Sequence, residues 1–336
     1  MTAVLYRIVK PVASLRLTVV LLAITAAVAL AGETAGVAVG PVIAMPLGGM
    51  VLNLLAAIAT NGKLRRQAGL LGFHLCLAAL ALLAALDRLT ALEGHVEVSE
   101  GAAFDPALAQ VQAGPWHWGR LADVRFVQGP FEISYAPGVK RRETFSTIRV
   151  PDADGQWHRV VVGDDKPLVA GSYRLYTSFN KGFAPILSFV DHSGRSHRGA
   201  VHLPSYPLND FRQGNDWVLP GTDRTVKLWL SIGEPIVMPD ASWRFHKPKG
   251  AVLVLIEGDK RRELAPGDSV TLGDGVLRYE ELGSWMGYTI SYNPFGPWML
   301  AACLAGILFF AWHVFGKLWR RPVSAAASMG MQSHAV

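Results

Sequence analysis

Cysteine is nearly absent: the chain has two in 336 residues, Cys76 and Cys303. Neither lies in the long middle stretch, residues 92–293. That stretch therefore holds no disulfide, no Cys-x-x-Cys redox pair and no Cys-x-x-Cys-His attachment motif. A thioredoxin-like enzyme and a c-type cytochrome are both excluded. Charge is scarce too, at 17% of residues against 51% hydrophobic ones, a balance unlike that of ordinary soluble domains. The middle stretch also lacks helical periodicity, metal-ligand spacing of the His-x-x-x-His kind, a phosphate-cradling glycine loop, paired carboxylates and a Ser/His/Asp constellation. These absences argue against a hydrolase or transferase with its own active site. No basic patch with interleaved aromatics appears, so nucleic acid is not an expected partner. No internal repeat is present, and the one biased segment is an Ala- and Ser-rich tail at 323–336.

What is present is concentrated apolar sequence. Blocks at 17–31, 36–60, 68–86 and 294–315 each approach the roughly 20 residues needed to cross about 30 Å of hydrocarbon. The first is the shortest and needs 12–16 as a flank, with Arg16 snorkelling. The expected fold is membrane α plus β. Three N-terminal transmembrane helices, at about 12–31, 36–60 and 68–86, fill residues 1–91. A β-sandwich-like extracytoplasmic domain follows at 92–293, then a fourth transmembrane helix at 294–316 and a cytoplasmic tail at 317–336.

The loop charges fit four spans. Arg7, Lys10 and Arg16 precede the first, Lys63, Arg65 and Arg66 fill the second loop, and Lys317, Arg320 and Arg321 follow the fourth. The loop Gly32-Glu33-Thr34-Ala35 has no basic residue. All three clusters then fall on one face, which the positive-inside rule assigns to the cytoplasm. Both termini are expected in the cytoplasm of a multi-pass inner (cell) membrane protein, with the large domain periplasmic or extracytoplasmic. The net charge of +6 largely reflects these anchors. Ala29-Leu30-Ala31 also looks like a signal-peptidase site, which would remove the first helix without inverting the rest.

The middle stretch is a series of short strands. Val226, Leu228 and Leu230 alternate with Lys227 and Trp229, the period of a half-buried strand. Residues 251–256 form a core strand closed by Gly258-Asp259-Lys260. Further turns are marked by Asp152-Ala153-Asp154-Gly155, Asp191-His192-Ser193-Gly194 and Gly273-Asp274-Gly275. An antiparallel sandwich or a pair of packed sheets is expected.

The candidate chemistry centres on His74, inside the third apolar block. An ionisable side chain in a span is costly and is read as functional by default. Imidazole is an axial ligand for haem iron, and the plain rival is a neutral histidine hydrogen-bonded to a neighbouring helix. His313, near the cytoplasmic end of the fourth block, falls in the same leaflet, so a pair of ligands from one chain is conceivable. Its rival is an interfacial role beside Trp312 and Trp319. Cys76 and Cys303 both fall near mid-membrane, as a redox pair or as small packing residues. Among the outside histidines, His95, His117, His158, His192, His197, His202 and His246, none shows ligand spacing. His117, between Trp116 and Trp118, belongs to an aromatic platform or to a buried cluster beside a turn. Asn53, Gly48, Gly49, Pro41 and Pro46 suggest a kinked, closely packed second helix.

Several short motifs join this layout. They are Asn53-Leu54-Leu55, Gly72-Phe73-His74-Leu75, Gly94-His95-Val96-Glu97-Val98-Ser99-Glu100-Gly101, Gly171-Ser172-Tyr173-Arg174-Leu175-Tyr176, Tyr288-Thr289-Ile290 and Asn293-Pro294-Phe295-Gly296. With the topology, they make the chain resemble the ResB (CcsB) family of cytochrome c biogenesis proteins. The resemblance implies a haem-delivery subunit that works with a ResC/CcsA-type membrane protein. Together the two serve apocytochromes c that carry Cys-x-x-Cys-His sites. It implies non-covalent haem b in transit, with His74 as an axial ligand to the iron. It also implies an accessory role in a holocytochrome c synthase (haem lyase) complex rather than a catalytic site in this chain. The rival expectation is a membrane-anchored, non-haem assembly scaffold whose outer domain binds a protein or ligand.

Overall fold

In the computed structural model, which describes residues 9–36 and 39–319, each apolar block becomes a helix. α1 (Leu15–Ala35), α2 (Gly40–Thr60), α4 (Ala68–Thr90) and α5 (Gly296–Trp319) are each long and apolar enough to cross a membrane. A short α3 (Gly62–Arg66) carries Lys63, Arg65 and Arg66. The tail from residue 320, together with Arg7, Arg320 and Arg321, lies outside the described residues.

The helix ends differ from the expected spans by a few residues, each for a local reason. α1 begins later because Ser14 is extended, breaking it from the helical residues 9–12. It runs past the apolar block through Glu33 and Thr34 until Gly36, at φ 62°, turns left-handed and closes the end. α4 continues a further turn through Asp87 and Arg88, which form an ion pair at 3.3 Å. α5 starts two residues late because the Asn293 side chain accepts the Gly296 N–H at 2.6 Å, an N-terminal cap. A helix extends as far as its backbone caps allow, whereas an apolar span ends where polar side chains begin.

The chain divides into a helical unit and a β unit, and residues 113–118 belong to the helical one. Within the helical unit, α4 packs on both α2 and α5. Gly69, Gly72 and Cys76 of α4 meet His313, Phe309 and Gly306 of α5 in reverse order, so the two helices are antiparallel. A Cβ on Gly69 would lie 2.9 Å from the Phe309 carbonyl oxygen and 3.0 Å from the His313 nitrogen. Backbone meets backbone here, the close approach that small residues permit between membrane helices. Gly40 similarly abuts the Arg88 carbonyl, making α2 antiparallel to α4.

Asn53 holds α1 to α2. It is 2% exposed, donates to the carbonyls of Val12 (2.6 Å) and Ser14 (3.1 Å), and accepts from Thr18 at 2.7 Å. The amide thus gives the Val12 carbonyl a partner at the break before α1 and adds one to the Ser14 carbonyl, which also accepts from the Leu17 and Thr18 N–H groups. Pro46 sits inside α2 and removes one rung of its ladder. Of the two glycines expected to pack closely, Gly49 faces Leu21, whereas a Cβ on Gly48 would meet no neighbouring element within 4 Å.

The β unit is mostly antiparallel. It contains three sheets rather than two. The first orders β2 (Gln110–Ala113), β1 (Leu92–Ser99), β15 (Gly275–Tyr292), β7 (Tyr173–Asp191) and β6 (Leu168–Ala170). β14 (Ser269–Leu272) also pairs with β15, and β8 (Ser196–Ala200) with β7. The second orders β13 (Lys260–Leu264), β12 (Val252–Glu257), β10 (Thr225–Ser231) and β9 (Gly214–Val218). The third orders β11 (Trp243–Arg244), β3 (Val127–Tyr135), β4 (Arg141–Pro151) and β5 (Trp157–Gly163).

The third sheet follows from strand length. β7 has 19 residues and β15 has 18, so at about 3.3 Å per residue each is roughly 60 Å long, too much for one core to cover. Two cores result. Leu175, Phe183, Met286, Tyr288 and Ile290 pack with Ile133 and Ile148 of the third sheet. Leu187, Phe189, Leu277 and Tyr279 pack with Leu228 and Leu253 of the second. A bulge at Glu280 lets both cores use one face of the long sheet. The inward residues of β15 switch there from odd (Leu277, Tyr279) to even (Met286, Tyr288, Ile290, Tyr292).

Candidate functional site

His74 lies about 9 Å along α4 from its first residue. At about 100° per residue it points about 170° away from the Gly69/Gly72/Cys76 seam. It therefore lies on the side of α4 away from α5, the side that the buried residues Ala78 and Ala85 share. Counting about fourteen residues along each helix from the Gly40–Arg88 contact brings His74 level with about Leu54.

The ring is half-buried, and its Nδ1 is 2.8 Å from the Leu70 carbonyl oxygen. A carbonyl can only accept, so Nδ1 carries a proton, and in the neutral ring Nε2 keeps its lone pair. Among the described residues no group hydrogen-bonds to Nε2. Phe73 packs edge-on to the ring, with centroids 5.6 Å apart. One imidazole, tautomer fixed and lone pair open in apolar surroundings, fits one axial position of a haem iron.

His313 does not join it. Its backbone nitrogen lies against Gly69, on the opposite side of α4 from His74. The expected pairing of the two within one chain rested on depth, which does not say which face a side chain takes. Cys76 lies against Gly306 and Cys303 is exposed one turn away on α5; both are free thiols.

The Trp116–Trp118 segment is not a buried cluster. Gly114, Trp116 and His117 reach the exposed carbonyls at the end of α4. Gly114 N–H donates to Ala91, Trp116 N–H to Leu89, and His117 Nδ1–H to Thr90, at 2.8–2.9 Å. A helix leaves such carbonyls unpaired, and this loop satisfies them. Trp116 and Trp118 stay more than half exposed, and Trp118 meets Phe295, just before α5, at 5.8 Å. With exposed Trp298 they ring one end of the helical unit, while Trp312 and Trp319 stand exposed toward the other. That other end also gathers Lys10, Lys63 and Arg66 around one hollow, with Lys317 at the end of α5.

In the β unit, the odd residues of β1 turn away from the core. His95, Glu97 and Ser99 line a cleft of about 800 Å³ with His202, Arg198 and Glu281. His202 Nδ1 is 2.9 Å from Glu97 Oε2, and its Nε2 is 2.8 Å from Ser99 Oγ. Its ring stacks on Trp285, whose indole N–H is fixed by the Leu203 carbonyl at 3.0 Å. A Ser/His/carboxylate chain thus exists where sequence spacing showed none, because Ser99 and His202 are 103 residues apart. The only sequence signal was the alternation of polar residues along β1.

Lys181 is a second buried ionisable group, 2% exposed. Its Nζ donates to the Phe179 carbonyl at 2.8 Å and lies 5.3 Å from the Tyr135 ring centre. Burial, reinforced by nearby Arg141, lowers its pKa to about 8. Gln128, Ser146 and Tyr288 close a buried triangle of hydrogen bonds at 2.6–2.8 Å, and burial raises the Tyr288 phenol. Glu280, on the bulge, is bonded by Ser188 and by Arg198 at 2.8 Å, which hold its carboxyl below the usual range. Among the described residues, no three His, Cys, Asp or Glu side chains converge as a metal site. In comparisons with known proteins, no family model and no curated sequence matches this chain.

Proposed function

We propose that this chain is a haem-delivery subunit in cytochrome c maturation. It would act with a ResC/CcsA-type membrane protein to serve apocytochromes c. The observation that carries the reading is the state of His74: Nδ1–H committed to Leu70 and Nε2 open on an apolar helix face. Haem, when bound, would supply an iron that His74 Nε2 could ligate, and the Leu70 carbonyl keeps the ring in the ligating tautomer. Leu70, Leu71, Leu77 and Ala78, its neighbours on the helix surface, keep water from the ring. With His313 on the far side of α4, the second ligand belongs to the partner.

The helices are taken to span the inner membrane. The end bearing Lys10, Lys63, Arg66 and Lys317 faces the cytoplasm. The β unit enters the chain after α4 and leaves it before α5, both at the opposite end, so on this reading it is extracytoplasmic. The aromatic residues near the two ends match the interfacial belts of membrane helices.

The test is co-expression with the partner, purification of the complex and quantitation of haem as pyridine haemochrome. Wild type is expected to retain haem, His74→Ala to lose most of it, and His313→Ala to keep it. Equal occupancy in His74→Ala overturns the ligand assignment. A colourless wild-type complex favours instead a non-haem scaffold, for which the cleft in the β unit offers a binding surface.

A further inference from the structure

With a neutral imidazole at His202, the hydrogen-bond chain in the β-unit cleft has one consistent proton arrangement. Glu97, as a carboxylate, only accepts, so the proton between it and His202 sits on Nδ1. Nε2 of the neutral ring then accepts, and Ser99 donates its hydroxyl proton. This is the arrangement in which an imidazole can take a proton from a serine as the oxygen attacks. Trp285, stacked on the ring at 5.3 Å and 15°, keeps His202 from rotating out of line. The chain lines an open cleft large enough for a small-molecule group rather than a closed core.

We propose that Ser99 is a nucleophile, with His202 as its general base and Glu97 as the residue that positions the base, and that the cleft accepts an acyl ester. The Ser99 oxygen forms a bond to the acyl carbon as its proton passes to His202 Nε2. The bond to the leaving alkoxide breaks, and the alkoxide takes that proton. Water, deprotonated in turn by His202, releases the acid and restores Ser99. Asp105, Glu100 and Glu281 around the cleft disfavour an anionic substrate, so the class is a neutral or cationic ester.

The backbone nearby limits the rate. The N–H groups of Glu100, Gly101 and Ala102 already donate to Ser284, Gln128 and Ser99. They cannot also receive the developing oxyanion, a role whose loss costs about 10²–10³ in rate. Arg198, His95 and Gln110 are the side-chain donors left in the cleft. The site therefore supports acylation with slow turnover, and adduct formation is the appropriate readout.

The full chain in detergent micelles is incubated with a neutral alkyl fluorophosphonate, and adducts are mapped by peptide mass spectrometry. The Ser99 oxygen displaces fluoride from phosphorus, and the hydroxyl proton leaves through His202. The expected result is a single adduct on Ser99, absent in Ser99→Ala. Its rate of formation should fall by at least about 10²-fold in His202→Gln, the usual contribution of a general base. Glu97→Gln, which permits the other tautomer, is expected to slow it as well. The wild-type rate should rise with pH along one titration that disappears in His202→Gln, a dependence a merely structural histidine does not produce. No adduct on Ser99, or a rate indifferent to His202, overturns the proposal. If a variant fails to fold, the wild-type map and pH profile still decide it.

Discussion

Replacing Lys181 with methionine isolates the energetic consequence of burying an amine in the β unit. The folded amine loses its proton near pH 8, whereas an unfolded lysine holds it to about 10.5. At roughly 1.4 kcal/mol per tenfold change in proton affinity, keeping Lys181 charged in the folded state costs about 3 kcal/mol. Between those two values the unfolded chain binds more protons than the folded one, so stability rises with pH. Below pH 8 the whole cost is present. Above about pH 10 the trend reverses, since burial raises the Tyr173 and Tyr279 phenols to about 12 and the unfolded phenols ionise first. The usable window is thus pH 8 to 10. Lys181→Met removes the titrating group, keeps an unbranched side chain and gives up one hydrogen bond to Phe179. Stability is read as the guanidinium midpoint by tryptophan fluorescence at pH 7, 8, 9 and 10, wild type against variant. The variant should gain most over wild type at pH 7 and lose that advantage steadily toward pH 10. A difference constant across the window refutes the burial argument for Lys181.

Other outcomes follow from the helical unit. Gly69→Val puts a branched side chain against the Phe309 and His313 backbone, so α4 and α5 must separate; a lower thermal midpoint in micelles, with Gly48→Val as the tolerated control, checks this. Asn53→Leu leaves the Val12 and Ser14 carbonyls without the amide and should cost about 1–3 kcal/mol, read as the loss of helical signal on heating. With Cys76 and Cys303 replaced by alanine, a membrane-impermeant maleimide added to the outside should label Asp259→Cys, in the turn before β13, but not Lys63→Cys. The reverse pattern contradicts the proposed orientation.

Much of this architecture was legible in the sequence. Four apolar blocks gave four helices because their apolar composition is continuous over the length of a span. The turns at Asp152–Gly155, Asp191–Gly194 and Gly273–Gly275 fell where Asp, Ser and Gly cluster, and each joins consecutive strands. Val226, Leu228 and Leu230 face the core, as their alternation requires. The three-sheet arrangement was harder to see. Its signal was the switch of inward positions from odd to even across Glu280, which short-window alternation averages away. The site was legible only in part. His74 stood out because a titratable group in an apolar run has an energetic cost. Its separation from His313 is a matter of helix face, fixed by glycines whose role shows only once a second helix lies against them. Ser99, His202 and Glu97 come from segments about a hundred residues apart, and no local pattern announces such a meeting. The buried-cluster reading of Trp116-His117-Trp118 failed because aromatic composition resembles core, whereas this loop stays exposed and caps α4.

The central claim is that His74 Nε2 binds haem iron, and chemical rescue tests it most directly. His74→Gly leaves a gap where the ring stood, and free imidazole supplies the missing nitrogen without restoring the peptide link. The visible spectrum of the His74→Gly complex with its partner is recorded with and without added imidazole. The account predicts a Soret band lost in the variant and restored by imidazole to the wild-type position, with His313→Gly unaffected throughout. A wild-type Soret band in His74→Gly without imidazole contradicts it.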